Sequence, residues 1–285
     1  MADFIPIGLR GVAFAATLQA AGIPIFLFLF EKNLDHAARP IRLLAVSSAV
    51  IGLFLTIGHT LVEPARLAGE LRGIFDGSLQ AMLLSSDSGT AAAVRVLGLG
   101  LVVGGWFKPS RFGALTALIG AALIVASFAF MGHTATSDFR WLLAPLLIVH
   151  LMVIAFWFGA LWPLAAATRH ERPELAGLLI EEFSRLAIRL VPILFLAGLV
   201  LSVVLLQSLS NLSTPYGILL LTKVAGFSIL MMLAAANKWR FGPRIVGGDL
   251  VAVRSFRRTV LAEWVLIVGV VTVTATMTAL YSPAH

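Results

Sequence analysis

Eight apolar runs, each long enough to cross a bilayer, dictate what this chain can become. They lie at roughly 11–30, 41–62, 90–107, 111–131, 140–163, 186–207, 215–237 and 257–281. A hydrocarbon slab about 30 Å thick needs about 20 residues of helix to span it. Strands at that depth would leave backbone N–H and C=O groups without partners, so continuous apolar segments there must be helical. The sequence predicts an all-α, polytopic membrane bundle of eight transmembrane helices, read as one transmembrane domain over residues 1–285. With 59% hydrophobic and 12% charged residues, the chain has too little polar surface to coat a soluble globule. The first run shows no small-residue cleavage site at a sensible distance, so it is expected to remain as the first span.

Alternate connections divide the 21 lysines and arginines unevenly. Fifteen, among them Lys32, Arg39, Arg42, Lys108, Arg169, Arg185, Arg244 and Arg257, fall on one side; Arg10, Arg66, Arg72, Arg95, Arg140 and Lys223 fall on the other. By the positive-inside rule both termini are expected to face a periplasm or exterior, across a bacterial cytoplasmic membrane. Anionic lipid on the basic side accounts for the net charge of +7, which gives no support to a nucleic-acid partner.

Within this frame the histidines stand out, because an ionisable group inside a membrane is costly and marks a functional site by default. His150 lies ten residues past Arg140, about 15 Å down its helix and near mid-membrane. His59 and His133 close outward-running spans, and both sit in the tripeptide Gly-His-Thr. His36 and His170 fall in basic connections and read as solvated. Met131, Met82 and Met277 belong to the outward half. Each reads either as gap-filling packing or as a thioether ligand. There is no cysteine, so a metal must use imidazole, thioether or oxygen. Imidazole with thioether suits copper. Imidazole ligates when neutral, so metal uptake is expected to weaken as pH falls through about 6.5.

Trp157 is seven residues after His150 and shares its helix face. Lys223 lies about 12 Å deep and requires water or a partner. Arg95 is expected to snorkel outward, Glu263 to pair with Arg185 or Arg189, and Gly98, Gly100, Gly104 and Gly105 to allow close helix approach. The connection 63–89 carries Leu67, Leu71, Ile74 and Phe75 at helical spacing, which predicts a short interfacial helix, either capping the bundle or acting as a lid. The stretch 237–256, with Pro243, Gly247 and Gly248, reads as a basic loop.

Several of these residues, in order, resemble the copper resistance protein D (CopD) family of inner-membrane copper proteins. They are Gly132-His133, His150 followed by Trp157-Phe158-Gly159 and Pro163, and Phe183-Ser184-Arg185-Leu186. Thr214-Pro215-Tyr216-Gly217 with Lys223, Asn237-Lys238, Pro243-Arg244, and Arg257-Arg258 with Glu263 continue the series. The resemblance is strongest over 130–285. It implies movement of copper across the cytoplasmic membrane from the periplasmic side, beside a periplasmic copper-binding partner, with His133, His150 and Trp157 at family positions. His59 and the methionines join the candidate site through sidedness alone. An outer site of His59, His133 and Met131 would take the ion from a carrier, and His150 would hold it lower down.

A second reading is a haem b protein in which two histidines from different helices ligate one iron, for which the paired Gly-His-Thr tripeptides at similar depth would serve. The chain has no phosphate-binding loop of the G-x-x-x-x-G-K-[ST] type. No Ser-His-Asp or paired-carboxylate constellation stands out either. A transport protein is therefore favoured over an enzyme.

Overall fold

The computed structural model describes residues 4–106 and 110–281. Among these the chain is helical throughout: α1 (Phe4–Phe30), α2 (Ala38–Ala68), the short α3 (Gly77–Leu84), α4 (Asp87–Gly105), α5 (Arg111–Ala126), the single turn α6 (His133–Thr136), α7 (Arg140–His170), α8 (Pro173–Leu206), α9 (Pro215–Ala236), the short α10 (Gly242–Val246) and α11 (Leu250–Leu280). Eight of the helices, α1, α2, α4, α5, α7, α8, α9 and α11, are long and apolar enough to cross a membrane. This is a multi-pass membrane protein. Eight crossings return the chain to its starting face, so the Phe4 end of α1 and the Leu280 end of α11 share one face, called here the terminal face. The opposite, arginine-rich side is the basic face.

Side-chain caps set several boundaries. Ser86 accepts from Gly89 N–H, Ser110 from Gly113 and Thr214 from Gly217, and Pro215 follows Thr214 at the first helical position, where its missing donor costs nothing. Asp249 accepts from the N–H groups of Val251 and Ala252 to open α11. The N–H donors of Ala252 and Val251, helped by Arg244, hold its carboxyl below the ordinary carboxylate range.

α1 is the most enclosed of the spans and packs against α2, α5, α7 and α11. Its Ile23, Phe26 and Leu27 are fully buried with Phe158 of α7. At Gly22 the backbones of α1 and α7 touch: a Cβ there would lie 1.7 Å from the carbonyl oxygen of Ala155, and one on Gly159 would lie 2.3 Å from Gly22. This contact joins the N-terminal helices to the C-terminal ones. Small residues let helix backbones approach in lipid, where packing replaces the hydrophobic drive. The glycine-rich stretch of α4 does this at two of its four positions. Gly98 abuts Gly120 of α5 and Gly105 abuts Gly113 and Ala117, whereas Gly100 and Gly104 face open space.

Three connections differ from the sequence reading. α2 runs on to Ala68, and the predicted interfacial helix is broken into a 3-10 turn at Leu71–Phe75 followed by α3. Asp76 caps α3 through Ser78 and Leu79, and those donors lower its pKa; Gln80 ties the segment back to the Leu61 carbonyl. On the basic side α8 begins at Pro173, well before the expected start. The stretch 237–256, read as a loop, is a π-turn at Asn237–Phe241, α10 and the first two turns of α11. Pro243 sits in the first turn of α10, where proline initiates a helix and does not break it.

Candidate functional site

Two polar groups lie inside the bundle toward the terminal face, and a third lies toward the basic face. The first gathers around His59. Its Nε2 is 3.7 Å from Glu63 one turn on, and Glu63 also accepts from Arg66 Nε at 2.8 Å. Arg10 of α1 and Arg95 of α4 reach the same electrostatic neighbourhood. Arg95 does not snorkel. It is 6% exposed, donates to Ser127 Oγ at 3.0 Å and lies 4.3 Å over the ring of Phe128. Its guanidinium also meets the sulfur of Met131 at 3.6 Å. Met131 is therefore in the His59 cluster but faces a cation, which a metal ion at that sulfur would have to displace.

His133 opens α6, and its side chain lies outside the described residues, as do Lys108 and His285. The two Gly-His-Thr tripeptides are not equivalent. Gly58 is an ordinary residue inside α2, whereas Gly132 has φ +73° and ψ −167°, a conformation open in practice only to glycine. Met82 is exposed on α3. Met277 is buried with Leu206, Tyr216 and Leu220, away from the His59 group.

The second group is His150. Its Nδ1 lies 3.2 Å from the carbonyl oxygen of Leu194 on α8. A carbonyl only accepts, so Nδ1 carries the proton, and in the neutral ring Nε2 keeps its lone pair free to ligate. Gly198, one turn beyond Leu194, leaves the room: a Cβ there would lie 3.0 Å from His150 Cε1. The charged group acting on this ring is Lys223 of α9. Among the described residues Lys223 has no ion pair.

Two turns further along the same face of α7, Trp157 donates its indole N–H to Glu263 Oε2 at 3.2 Å. Glu263 Oε1 accepts from Asn237 Nδ2 at 2.5 Å, and Thr259 Oγ donates to Asn237 Oδ1. Glu263 is thus 2% exposed and bonded to neutral donors, not paired with Arg185 or Arg189 as its sequence position implied. Arg185 pairs instead with Glu181 on its own helix. Trp157, Glu263 and Asn237 stand in the wall of a cavity of about 510 Å³ between α7, α8, α9 and α11. The sequence motifs include Trp157, Asn237 and Glu263 separately, but nothing in the sequence joins them, because they lie on three separated segments.

Among the described residues no three histidine, aspartate or glutamate side chains converge as a metal-ligating group. The geometry that remains is a bundle with imidazoles at two depths, one of them held through Nδ1 by a backbone carbonyl. No histidine lines the 510 Å³ cavity.

Residues 177–277 match the family model described as copper resistance protein D, and residues 1–140 match that of the copper resistance protein D-like N-terminal domain. The likeness therefore extends through the N-terminal half, beyond the region that the sequence motifs emphasised. The chain is 26% identical to copper resistance protein D of Pseudomonas syringae pv. tomato over 263 residues, 85% of this chain and 84% of that protein. It is 27% identical to copper transport protein CutJ of Bacillus subtilis (strain 168) over 290 residues, 96% of this chain and 52% of the relative, so it spans about half the length of that protein. No solved structure matches it. With its multi-pass helical fold and both halves matched, the chain belongs to the copper resistance protein D family.

Proposed function

We propose that this protein carries copper across the cytoplasmic membrane, taking the ion at a periplasmic terminal face and passing it inward through His150. The observation that carries this reading is the anchoring of His150. Ligating histidines as a rule donate their second N–H to a carbonyl or carboxylate, which fixes the tautomer and aims the free nitrogen. A histidine at mid-membrane depth, held by the Leu194 carbonyl and given space by Gly198, has that arrangement. Both curated relatives are named for copper, one for resistance and one for transport.

The arginine and lysine asymmetry supports the orientation, with termini outside. His59, with Glu63 at its side, and His133 on the neighbouring connection are the proposed first ligands. Met131 becomes available when Arg95 gives way, and Met82 on exposed α3 would meet a periplasmic copper-binding carrier. Few ligands at each stage suit a soft, low-coordinate ion, and thioether with imidazole selects copper among the first-row metals. Lys223 and Trp157 line the route without ligating: an ammonium group has no lone pair, and indole N–H is a donor only. Met277 serves packing.

Copper accumulation in cells carrying His133→Ala, His150→Ala and His59→Ala tests the reading. Loss of accumulation with normal membrane abundance is expected for the first two, and wild-type accumulation in both would overturn the ligand assignment. A purified sample showing haem absorbance, with no copper, would overturn the cargo.

A further inference from the structure

Glu263 is a carboxyl group at membrane depth that lies outside the proposed histidine and methionine ligands. It is 2% exposed, and both oxygens accept from neutral donors, Trp157 Nε1 at 3.2 Å and Asn237 Nδ2 at 2.5 Å. Among the described residues no cation pairs with it. A carboxylate in so apolar a place needs a compensating positive charge, and in a bundle this marks a relay or a coupling site. Two further observations set it apart from a sealed structural acid. It stands in the wall of the 510 Å³ cavity, which opens past exposed Ile188, Met232 and Trp239 and carries Ser184, Lys238 and the indole of Trp239 as its other side-chain polar groups beside Asn237 and Trp157. Its partner Asn237 begins a π-turn, a local widening of the helix that recurs at functional sites.

The groups packed around it leave few alternatives. α7 presents Trp157, α8 presents Ser184 and Phe183, and the π-turn presents Asn237 and Lys238. α1 places Gln19 against Trp264 at 2.9 Å, beside Glu263 in sequence. On α8, Arg185 and Arg189 are exposed, as is Glu181. Lys238 is thus the one other ionisable group in the described lining. Among the described residues no second carboxylate or imidazole converges to complete a shell for sodium or calcium. A proton needs a single lone pair.

Building on the copper-transport reading, we infer that Glu263 is a proton-exchanging carboxyl, which binds a proton when no metal ion is passing and releases it when one does. The site holds one negative charge, balanced in turn by one proton or one copper(I) ion. Each ion moved one way is then matched by one proton moved the other way, and the exchange is electrically silent. Trp157, on the face of α7 that carries His150, places this charge two turns below the proposed metal ligand, so an ion leaving His150 approaches the carboxylate next.

The test uses the purified full chain in lipid vesicles, with copper(I) kept reduced and a pH dye in the lumen. Wild-type protein is expected to move protons against copper. At equilibrium a one-for-one exchange shifts copper accumulation about tenfold per unit of imposed pH difference, toward the more acidic compartment whichever way the protein is inserted. Clamping the membrane potential is expected to leave this unchanged. Glu263→Gln is expected to lose the pH-driven accumulation and the proton movement that accompanies copper, while a copper(I) titration still reads the site at His150, and Glu263→Asp to restore part of both. Wild-type copper uptake without proton movement overturns the inference and leaves the transport reading standing. Proton-coupled uptake by Glu263→Gln also overturns it. Absence of copper movement in the wild type overturns both.

Discussion

His150 and Leu194 meet across the α7–α8 contact through Nδ1 and a backbone carbonyl oxygen 3.2 Å apart. Because the acceptor is main chain, the bond survives any side-chain change on α8 that leaves the helices at their present spacing. Gly198 leaves the room that the ring occupies at this depth. A methyl group there would sit 3.0 Å from Cε1 and 3.4 Å from Nδ1 of the ring, close enough to turn the imidazole off its carbonyl.

Gly198→Ala therefore separates ligand geometry from folding. In a helix alanine is favoured over glycine by up to about 1 kcal/mol, while the crowded contact costs about 1–3 kcal/mol, so the net loss of stability is small. Copper accumulation is expected to fall several-fold, and Gly198→Val to abolish it. Accumulation assays alongside melting in detergent check this: equal losses in both would mean that Gly198 serves packing alone.

Lys223 puts a positive charge next to the proposed ligand. At an effective dielectric constant near 20, unit charges several ångströms apart repel by a few kcal/mol. Lys223→Met is expected to tighten copper binding by roughly tenfold or more and to slow its release. Equilibrium titration of copper(I) against a competing chelator measures the first, and efflux from loaded vesicles the second. Unchanged affinity would remove Lys223 from the route.

Arg95 contributes burial, a bond to Ser127 and a face on Phe128, but among the described residues no carboxylate pairs with it. Replacing a buried charged group by an apolar one of similar size is often neutral or stabilising. Arg95→Met is expected to leave melting within a few degrees of wild type and to free the Met131 sulfur, raising copper sensitivity of the cells. The double variant Arg95→Met with Met131→Leu should return sensitivity toward wild type.

The span count and the shared helix of His150 and Trp157 were legible in the sequence, because each rests on segment length and helical period. The partners were not. Glu263 takes neutral donors from segments 26 and 106 residues away, and no local pattern announces such a contact. Arg95 lies near enough to the span end to snorkel, yet the tertiary fold offers it two aromatic rings and a sulfur. The helices around Pro243 and Pro173 were hidden for a different reason: proline and glycine mark helix starts as readily as breaks.

Acid should act on the basic-face connection through Asp249. The N–H donors of Ala252 and Val251, with Arg244, keep its carboxyl ionised to lower pH in the folded protein than in the unfolded chain. Its contribution is then fully present above the ordinary carboxylate pKa and is lost as pH falls through the depressed folded value. Protection of the first turn of α11 against hydrogen exchange, taken relative to the intrinsic rate at each pH, is expected to fall below about pH 4, and Asp249→Ala to show that loss already at neutral pH. A first turn equally protected in the variant would assign its stability to packing of Ala252 and Phe256 instead.

The contact between α1 and α7 offers the sharpest test of the fold itself. At Gly22 a methyl carbon would fall 1.7 Å from the Ala155 carbonyl oxygen, and the obstacle is backbone, so no rotamer change relieves it. Gly22→Ala must push the helices apart by more than an ångström, opening the packing of Ile23, Phe26 and Phe158 around it. Overpacking of this kind costs about 1–3 kcal/mol or more, and here the lost contacts of buried aromatic residues add to it. A drop in melting temperature of several degrees is expected for Gly22→Ala, and failure to accumulate in the membrane for Gly22→Leu. Gly100→Ala is the matched control: nothing lies within 4 Å of its would-be methyl group, so helix propensity alone acts and stability should hold or rise slightly. Equal behaviour of the two alanine variants would show that α1 does not pack on α7 in this register.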